Sequence, residues 1–195
     1  MDNIMWKHIY EQTDTLKELL YNEQIIEFSK IVPIHQLEKL VFVAFGSSYN
    51  CAFATKRLFE ELTGIETVVY TPFDFIGENP LHRFNASHTL VVGISQTGTS
   101  SGTAQSLKLA KEEGFSVLSI TERRRTPVAE IGDYYLNFLS GEEPCNAKTK
   151  GFSHSLVLLM LIAIHFAKVK GTINDDQFSI YMKEIDESIE DIPHT

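Results

Sequence analysis

The apolar positions of the chain change rhythm twice. Ile4, Met5, Ile9, Leu16, Leu19 and Leu20 recur at the three-to-four-residue spacing of a helix face, and a second short helical run over residues 25–31 is closed by Pro33. From residue 40 the pattern becomes short and continuous. The runs LVFVAF (40–45), TVVYT (67–71), TLVVGI (89–94), SVLSI (116–120) and DYYLNF (133–138) are rich in Val, Ile and Leu and show little alternation, as in strands buried on both faces. Between them lie helical patterns over 51–62 and up to about Glu113, stopped by Gly64 and Gly114, and a short helix is expected from Pro127. The segment between the second and third strands reads as a Pro- and Gly-punctuated loop. Two further helices are predicted over 152–169 and 175–190, the first apolar nearly all round and the second acidic on its exposed side.

Five buried strands separated mostly by helices predict a three-layer α/β/α fold of flavodoxin-like type with a five-stranded parallel sheet. At 195 residues the chain fits one domain: a helical lead-in over 1–39, an α/β core over 40–170 and a C-terminal helix over 171–195, where a longer chain would pass into a second domain. A helix apolar on all sides has more surface than one side of a sheet covers, so self-association is expected, most simply as a homodimer.

Seventeen Lys and Arg against 26 Asp and Glu leave a formal charge of −9, a field that repels nucleic acid and anionic membrane surfaces, and neither is expected as a partner. An anionic ligand would have to be held by local dipoles and hydroxyls. The two cysteines, Cys51 and Cys145, form neither a disulfide framework nor a CxxC pair, and read as structural thiols of a reducing cytosol. The polar, acidic N-terminus shows no secretory pattern, and the longest apolar run, 156–164, is far short of a membrane span. A cytoplasmic location is expected.

Two strand-to-helix turns are packed with hydroxyls: GSSYN (46–50) and SQTGTS (95–100). In a doubly wound sheet both open on the crevice at the carboxyl ends of the strands, where free amides of a helix N-terminus hold anions. The spelling excludes several nucleotide and ester chemistries. Thr99 stands where a Walker A loop carries its Lys, neither turn is a GxGxxG fingerprint, and neither Ser48 nor Ser95 sits in GxSxG. What remains is a seat for a single phosphate, beside the plainer reading that these Ser and Thr cap helices.

Four motifs in register, GSSYN, FEELTGI (59–65), SQTGTSSGT (95–103) and EEPCNAKTKGF (142–152) followed by a long apolar helix, resemble the sugar isomerase (SIS) domain family. The similarity is greatest to the first of the two such domains in the isomerase half of glucosamine-6-phosphate synthase, and extends to related phosphosugar isomerases, deaminases and fructosamine deglycases. The resemblance implies a phosphosugar-binding domain with no metal and no organic cofactor, taking a phosphorylated sugar or aminosugar and working as a homodimer or paired with a second SIS domain. It implies that Ser95, Gln96, Thr97 and Ser100 bind the phosphate. Ser47 and Ser48 would contact the sugar, and Asn146, Ala147 and Lys148 would complete the pocket, with Thr149 and Lys150 matching the motif itself. Lys148 stands where a small Ser is usual.

Aldose–ketose isomerisation needs a base beside the sugar and an acid for ring opening. By analogy with the second domain of double-domain relatives, Glu61 falls at the place of a catalytic carboxylate, although Glu60 and Glu61 also read as solvated residues at a helix end. His154, just inside the long helix, is the other candidate, with packing or capping as its alternative role. Asp74 and Glu143 read as turn formers, His165 as a core residue, and Arg123, Arg124 and Arg125 as a solvated turn or an anion contact. The family's ring-opening His lies in an LKHGP-type segment missing here. The resemblance implies the phosphosugar-binding SIS domain of an aldose–ketose phosphosugar isomerase or an aminosugar-phosphate deaminase or deglycase, the alternative being a non-catalytic phosphosugar-binding sensor or scaffold module. The isolated chain is expected to bind phosphosugar and to isomerise it slowly or not at all unless another chain contributes catalytic groups.

Overall fold

The computed structural model describes residues 4–144 and 148–194. The lead-in is three helices, α1 (Ile4–Tyr10), α2 (Gln12–Leu20) and α3 (Gln24–Ile31), the first two interrupted only at Glu11. Five strands follow, β1 (Lys39–Ala44), β2 (Glu66–Tyr70), β3 (Thr89–Ile94), β4 (Ser116–Thr121) and β5 (Tyr134–Asn137), each overlapping an expected run. They form one fully parallel sheet in the order β2-β1-β3-β4-β5. The order reverses between β1 and β3, which makes the carboxyl ends of these two strands the switch point of the sheet.

Period two divides the strand residues between two cores. Leu40, Phe42, Leu90, Val92, Leu118 and Ile120 face one layer, while Val41, Val43, Val91 and Val117 face the other. The first layer holds the lead-in helices with α4 (Gly46–Thr63), α7 (Lys150–Lys170) and α8 (Asp175–Asp191); the second holds α5 (Pro72–Glu78) and α6 (Ser101–Glu112). Three helices end on a glycine with positive φ, Gly64 after α4, Gly114 just beyond α6 and Gly171 after α7.

Three local expectations change. The GSSYN segment is already helix: Gly46 turns the chain with φ +54°, and α4 begins there, directly after Phe45. The expected loop after β2 contains α5, because Thr71 accepts a bond from the Asp74 amide and donates to the Asp74 carboxylate at 2.6 Å, with Pro72 supplying the first helical residue. No helix forms from Pro127. The segment stops at turns: the Glu130 amide donates to the Thr126 carbonyl at 3.1 Å, but the Val128 amide goes to the Gly98 carbonyl and the Val128 carbonyl also accepts from Ser119.

The apolar girth of α7 is largely covered within the chain, by α4 on one side and α2, α3 and α8 on others. By length and composition α7 would also pass for a membrane span, yet most of it is buried in the fold. A groove of about 530 Å³ leaves a strip of it open, with Leu156, Val157 and Met160 on its floor. Phe166 of α7 is fully buried beside Phe28, ring centroids 5.7 Å apart. Phe166→Ala is expected to cost about 3–5 kcal/mol in urea unfolding. The exposed Phe53→Ala should stay within about 0.5 kcal/mol of wild type.

Candidate functional site

The turn between β3 and α6 is fixed along its length by backbone bonds to its neighbours. The Ser95 amide donates to the Ile120 carbonyl at 3.0 Å, the Glu122 amide to the Gln96 carbonyl at 3.0 Å, and the Val128 amide to the Gly98 carbonyl at 3.0 Å. Gly98 has φ +71°, and a Cβ there would stand 2.1 Å from Oγ1 of Thr126, so this position has room for no other residue without rearrangement. The result is a preformed turn. Thr97 and Thr99 are exposed with their hydroxyls 2.8 Å apart, and Ser100 caps α6 by accepting the Thr103 amide. The first amides of α6 therefore point out beside exposed hydroxyls.

The starts of α4, α5 and α6 converge at this edge: a Cβ on Gly102 would meet the Phe45 ring at 2.9 Å and Pro72 at 3.0 Å. Ser47 is exposed on the first turn of α4, and Ser48 is buried. On the other side of the β3–α6 turn lies a cavity of about 240 Å³, lined by Gln96, Thr97 and Thr99 and by Glu122, Arg123, Glu142, Glu143 and Lys148. Of the expected sugar-pocket residues, Lys148 lines this cavity, its ammonium donating to the Glu143 carbonyl at 2.5 Å; Asn146 and Ala147 lie outside the described residues.

Glu143, read from the sequence as a turn former, is the most strongly held group here. It is only 5% exposed and accepts the Thr149 amide and hydroxyl, each at 2.6 Å, and the Gly151 amide at 3.0 Å. An interaction with the Gln96 side chain adds to these. Burial alone would raise its pKa, but these donors outweigh it and hold the carboxyl down at about 2. A carboxylate six residues upstream thus caps the 21-residue α7, whose N-cap Thr149 makes no cap bond of its own. Rules for local caps do not reach that far along the chain, and this is why the sequence did not single out Glu143. Glu122 is held similarly, by the Ser140 amide and hydroxyl and the Gly141 amide, and Arg123 pairs with Glu142.

The lead-in helices fasten the same end of α7. Lys150 is 5% exposed and its ammonium sits 2.7 Å from Glu11, whose pKa falls because of that bond, and Ser153 donates to Gln12.

The two catalytic candidates do not meet this cavity. Glu61 is exposed near the far end of the 18-residue α4, on the order of 22 Å along the helix from its first turn, and pairs with Arg57 at 2.6 Å. Its place follows from helix geometry, since α4 leads away from the crevice. His154 is fully buried inside the helical layer, with Nδ1 2.9 Å from the Lys150 carbonyl, and burial lowers its pKa. Arg124 lies over the Tyr135 ring, 4.8 Å from its centroid, and His165 packs edge-on against Phe178. The Cys51 thiol is buried, which pushes its pKa up to about 11. Among the described residues no group of three His, Cys, Asp or Glu is placed to hold a metal ion.

Comparison with known proteins places this geometry. The family model described as SIS domain matches residues 34–165. A glutamine–fructose-6-phosphate aminotransferase (isomerizing) from Thermococcus kodakarensis is 31% identical over 191 residues, covering 98% of this chain and 31% of that protein. The chain thus spans about a third of the length of the curated relatives it matches. Among solved structures, a candidate phosphosugar isomerase from Clostridium difficile 630 superposes with TM-score 0.86 at 28% identity, over 94% of this chain and 51% of that one. The C-terminal domain of glucosamine-fructose-6-phosphate aminotransferase from Francisella tularensis gives TM-score 0.83 at 22% identity, over 97% and 54% respectively.

The cap on α7 has a pH signature. Because the Glu143 pKa is lowered on folding, its contribution to stability is complete above the ordinary glutamate range near 4.5 and is lost as pH falls toward about 2. Glu143→Gln is expected to lower stability at pH 7 by about 1–3 kcal/mol and to flatten that acid limb in urea titrations between these pH values.

Proposed function

This chain belongs to the SIS domain family, and on that premise we propose that it binds a phosphorylated sugar or aminosugar at the carboxyl edge of its sheet. The observation that carries the reading is the rigid β3–α6 turn. Its exposed Thr97 and Thr99 hydroxyls and the free amides opening α6 make a seat for a phosphate dianion in a protein whose net charge of −9 offers no long-range attraction. Ser95, Gln96, Thr97 and Ser100 hold the phosphate in this reading. The sugar extends toward Ser47 and Ser48 on one side and the cavity beside Lys148 on the other.

Two carboxylates around the cavity, Glu143 and Glu122, are engaged by backbone amides and hydroxyls, and Glu142 forms an exposed pair with Arg123. Glu61 and His154 stand away from it. This favours a binding unit that supplies the phosphate seat and takes its acid and base from elsewhere, over a chain that completes aldose–ketose isomerisation or deamination alone. Pairing with a second copy or a second SIS domain belongs to the same proposal, supported by the open apolar strip of α7. So does a cytoplasmic setting, in keeping with a buried, unpaired Cys51.

Glucosamine 6-phosphate or fructose 6-phosphate is expected to raise the melting temperature, and the unphosphorylated sugars are not. Ser95→Ala or Thr97→Ala should each weaken binding by about 1.5–3 kcal/mol in calorimetry; unchanged affinity in both variants removes the turn from the site. In deuterium oxide the isolated chain should leave exchange at the sugar's C1 and C2 near the buffer rate by NMR. Exchange well above that rate overturns the binding-unit reading, and its loss in Glu61→Gln or His154→Asn would assign the residue responsible.

A further inference from the structure

Gln96 is gripped from outside its own turn. On one side its amide group lies against Gly151 in the first turn of α7: a Cβ there would stand 2.0 Å from Nε2 and 2.4 Å from Oε1, so any side chain at 151 would push the end of Gln96 aside. On another side is the buried Glu143 carboxylate, which accepts the amide of that same Gly151 at 3.0 Å, lines the same cavity as Gln96 and interacts with its side chain. Glu143 is ionised and accepts only, so the NH2 end of Gln96 must face it and the Oε1 end is turned away. The carboxylate itself cannot drift, because Thr149 and Gly151 hold both of its oxygens.

We propose that Glu143 and Gly151 are positioning residues for the phosphosugar site, fixing which end of the Gln96 amide meets the ligand and coupling the phosphate turn to the N-terminus of α7. The inference rests on the phosphosugar reading above and adds two residues that do not themselves touch the phosphate. Gln96 lines the cavity, so its free N–H and its carbonyl oxygen are the groups offered to the ligand. With Glu143 replaced by Gln, the new side chain offers both a donor and an acceptor. Either orientation of Gln96 is then allowed, and half of the amide's orientations present the wrong group to an anion. With Ala at 151 the Glu143 donors all remain, and the methyl group alone displaces Gln96.

The test is a double-mutant cycle on the full chain, read by calorimetry with glucosamine 6-phosphate and supported by the side-chain amide resonance of Gln96 in 15N NMR. Gly151→Ala and Gln96→Ala are each expected to weaken binding about tenfold, and Glu143→Gln about twofold, because half of the amide orientations stay productive. Glu143→Gln combined with Gln96→Ala should bind no more weakly than Gln96→Ala alone, whereas Glu143→Gln combined with Thr97→Ala should show additive losses. The Gln96 amide resonance should move in both Glu143→Gln and Gly151→Ala. Should Glu143→Gln fail to fold, Gly151→Ala carries the test by the same cycle. Wild-type affinity in the folded variants, or full additivity with Gln96→Ala, overturns the assignment while leaving the phosphosugar reading intact. No binding by the wild-type chain overturns the reading itself and the assignment with it.

Discussion

A parallel sheet has to be covered on both faces, and in this chain that one requirement fixes where everything else goes. Five strands with inward residues on both sides need helices in two layers, and each crossover returns the chain to the same starting edge. The carboxyl ends of the strands then share the opposite edge, with the order reversing between β1 and β3. The helix N-termini that follow these strands converge there without further design, as the contact of Phe45 and Pro72 with Gly102 records. The site is the by-product of burying Val, Ile and Leu.

In the proposed reading, what makes that edge a phosphate seat is a set of short-range locks. Three backbone bonds hold the β3–α6 turn to β4 and the segment after it, and Thr126 fills the space under Gly98. Glu143 joins that turn to α7, and α7 is joined to the lead-in helices by the Lys150–Glu11 pair. A helix of 21 residues whose first turn is fastened at two points gives the turn beside it a rigid wall. The same buried carboxylate serves folding, as a cap, and the site, as a constraint on Gln96. Hydroxyl and amide donors so fixed lose little freedom when an anion arrives, which is the condition under which neutral donors bind a phosphate against an unfavourable net charge.

Much of the fold was legible because strand burial and glycine stops are written locally. The runs at 40–45, 67–71, 89–94, 116–120 and 133–138 all coincide with strands, and Gly64 and Gly114 stand at or just past helix ends. The hydroxyl turn at 95–100 was legible for the same reason, being a contiguous word between a strand and a helix. Misses came where distant groups decide. Val128 bonds to Gly98 instead of continuing a helix, α5 was hidden in a Pro- and Gly-rich stretch although Thr71 and Asp74 spell its cap, and Glu143 gains its role from Thr149, Gly151 and Gln96. Glu61 shows what a count along the helix leaves open. Counting along a helix placed it by analogy, and the direction of α4 carries it away from the crevice.

The central claim is that the β3–α6 turn is a phosphate seat, and backbone 15N NMR during a titration with glucosamine 6-phosphate tests it residue by residue. The account predicts saturable shifts concentrated on the amides of Thr97 to Gly102, with smaller ones at Ser47 and Ser48. Saturable shifts confined to another part of the molecule, or none at millimolar ligand, would contradict it.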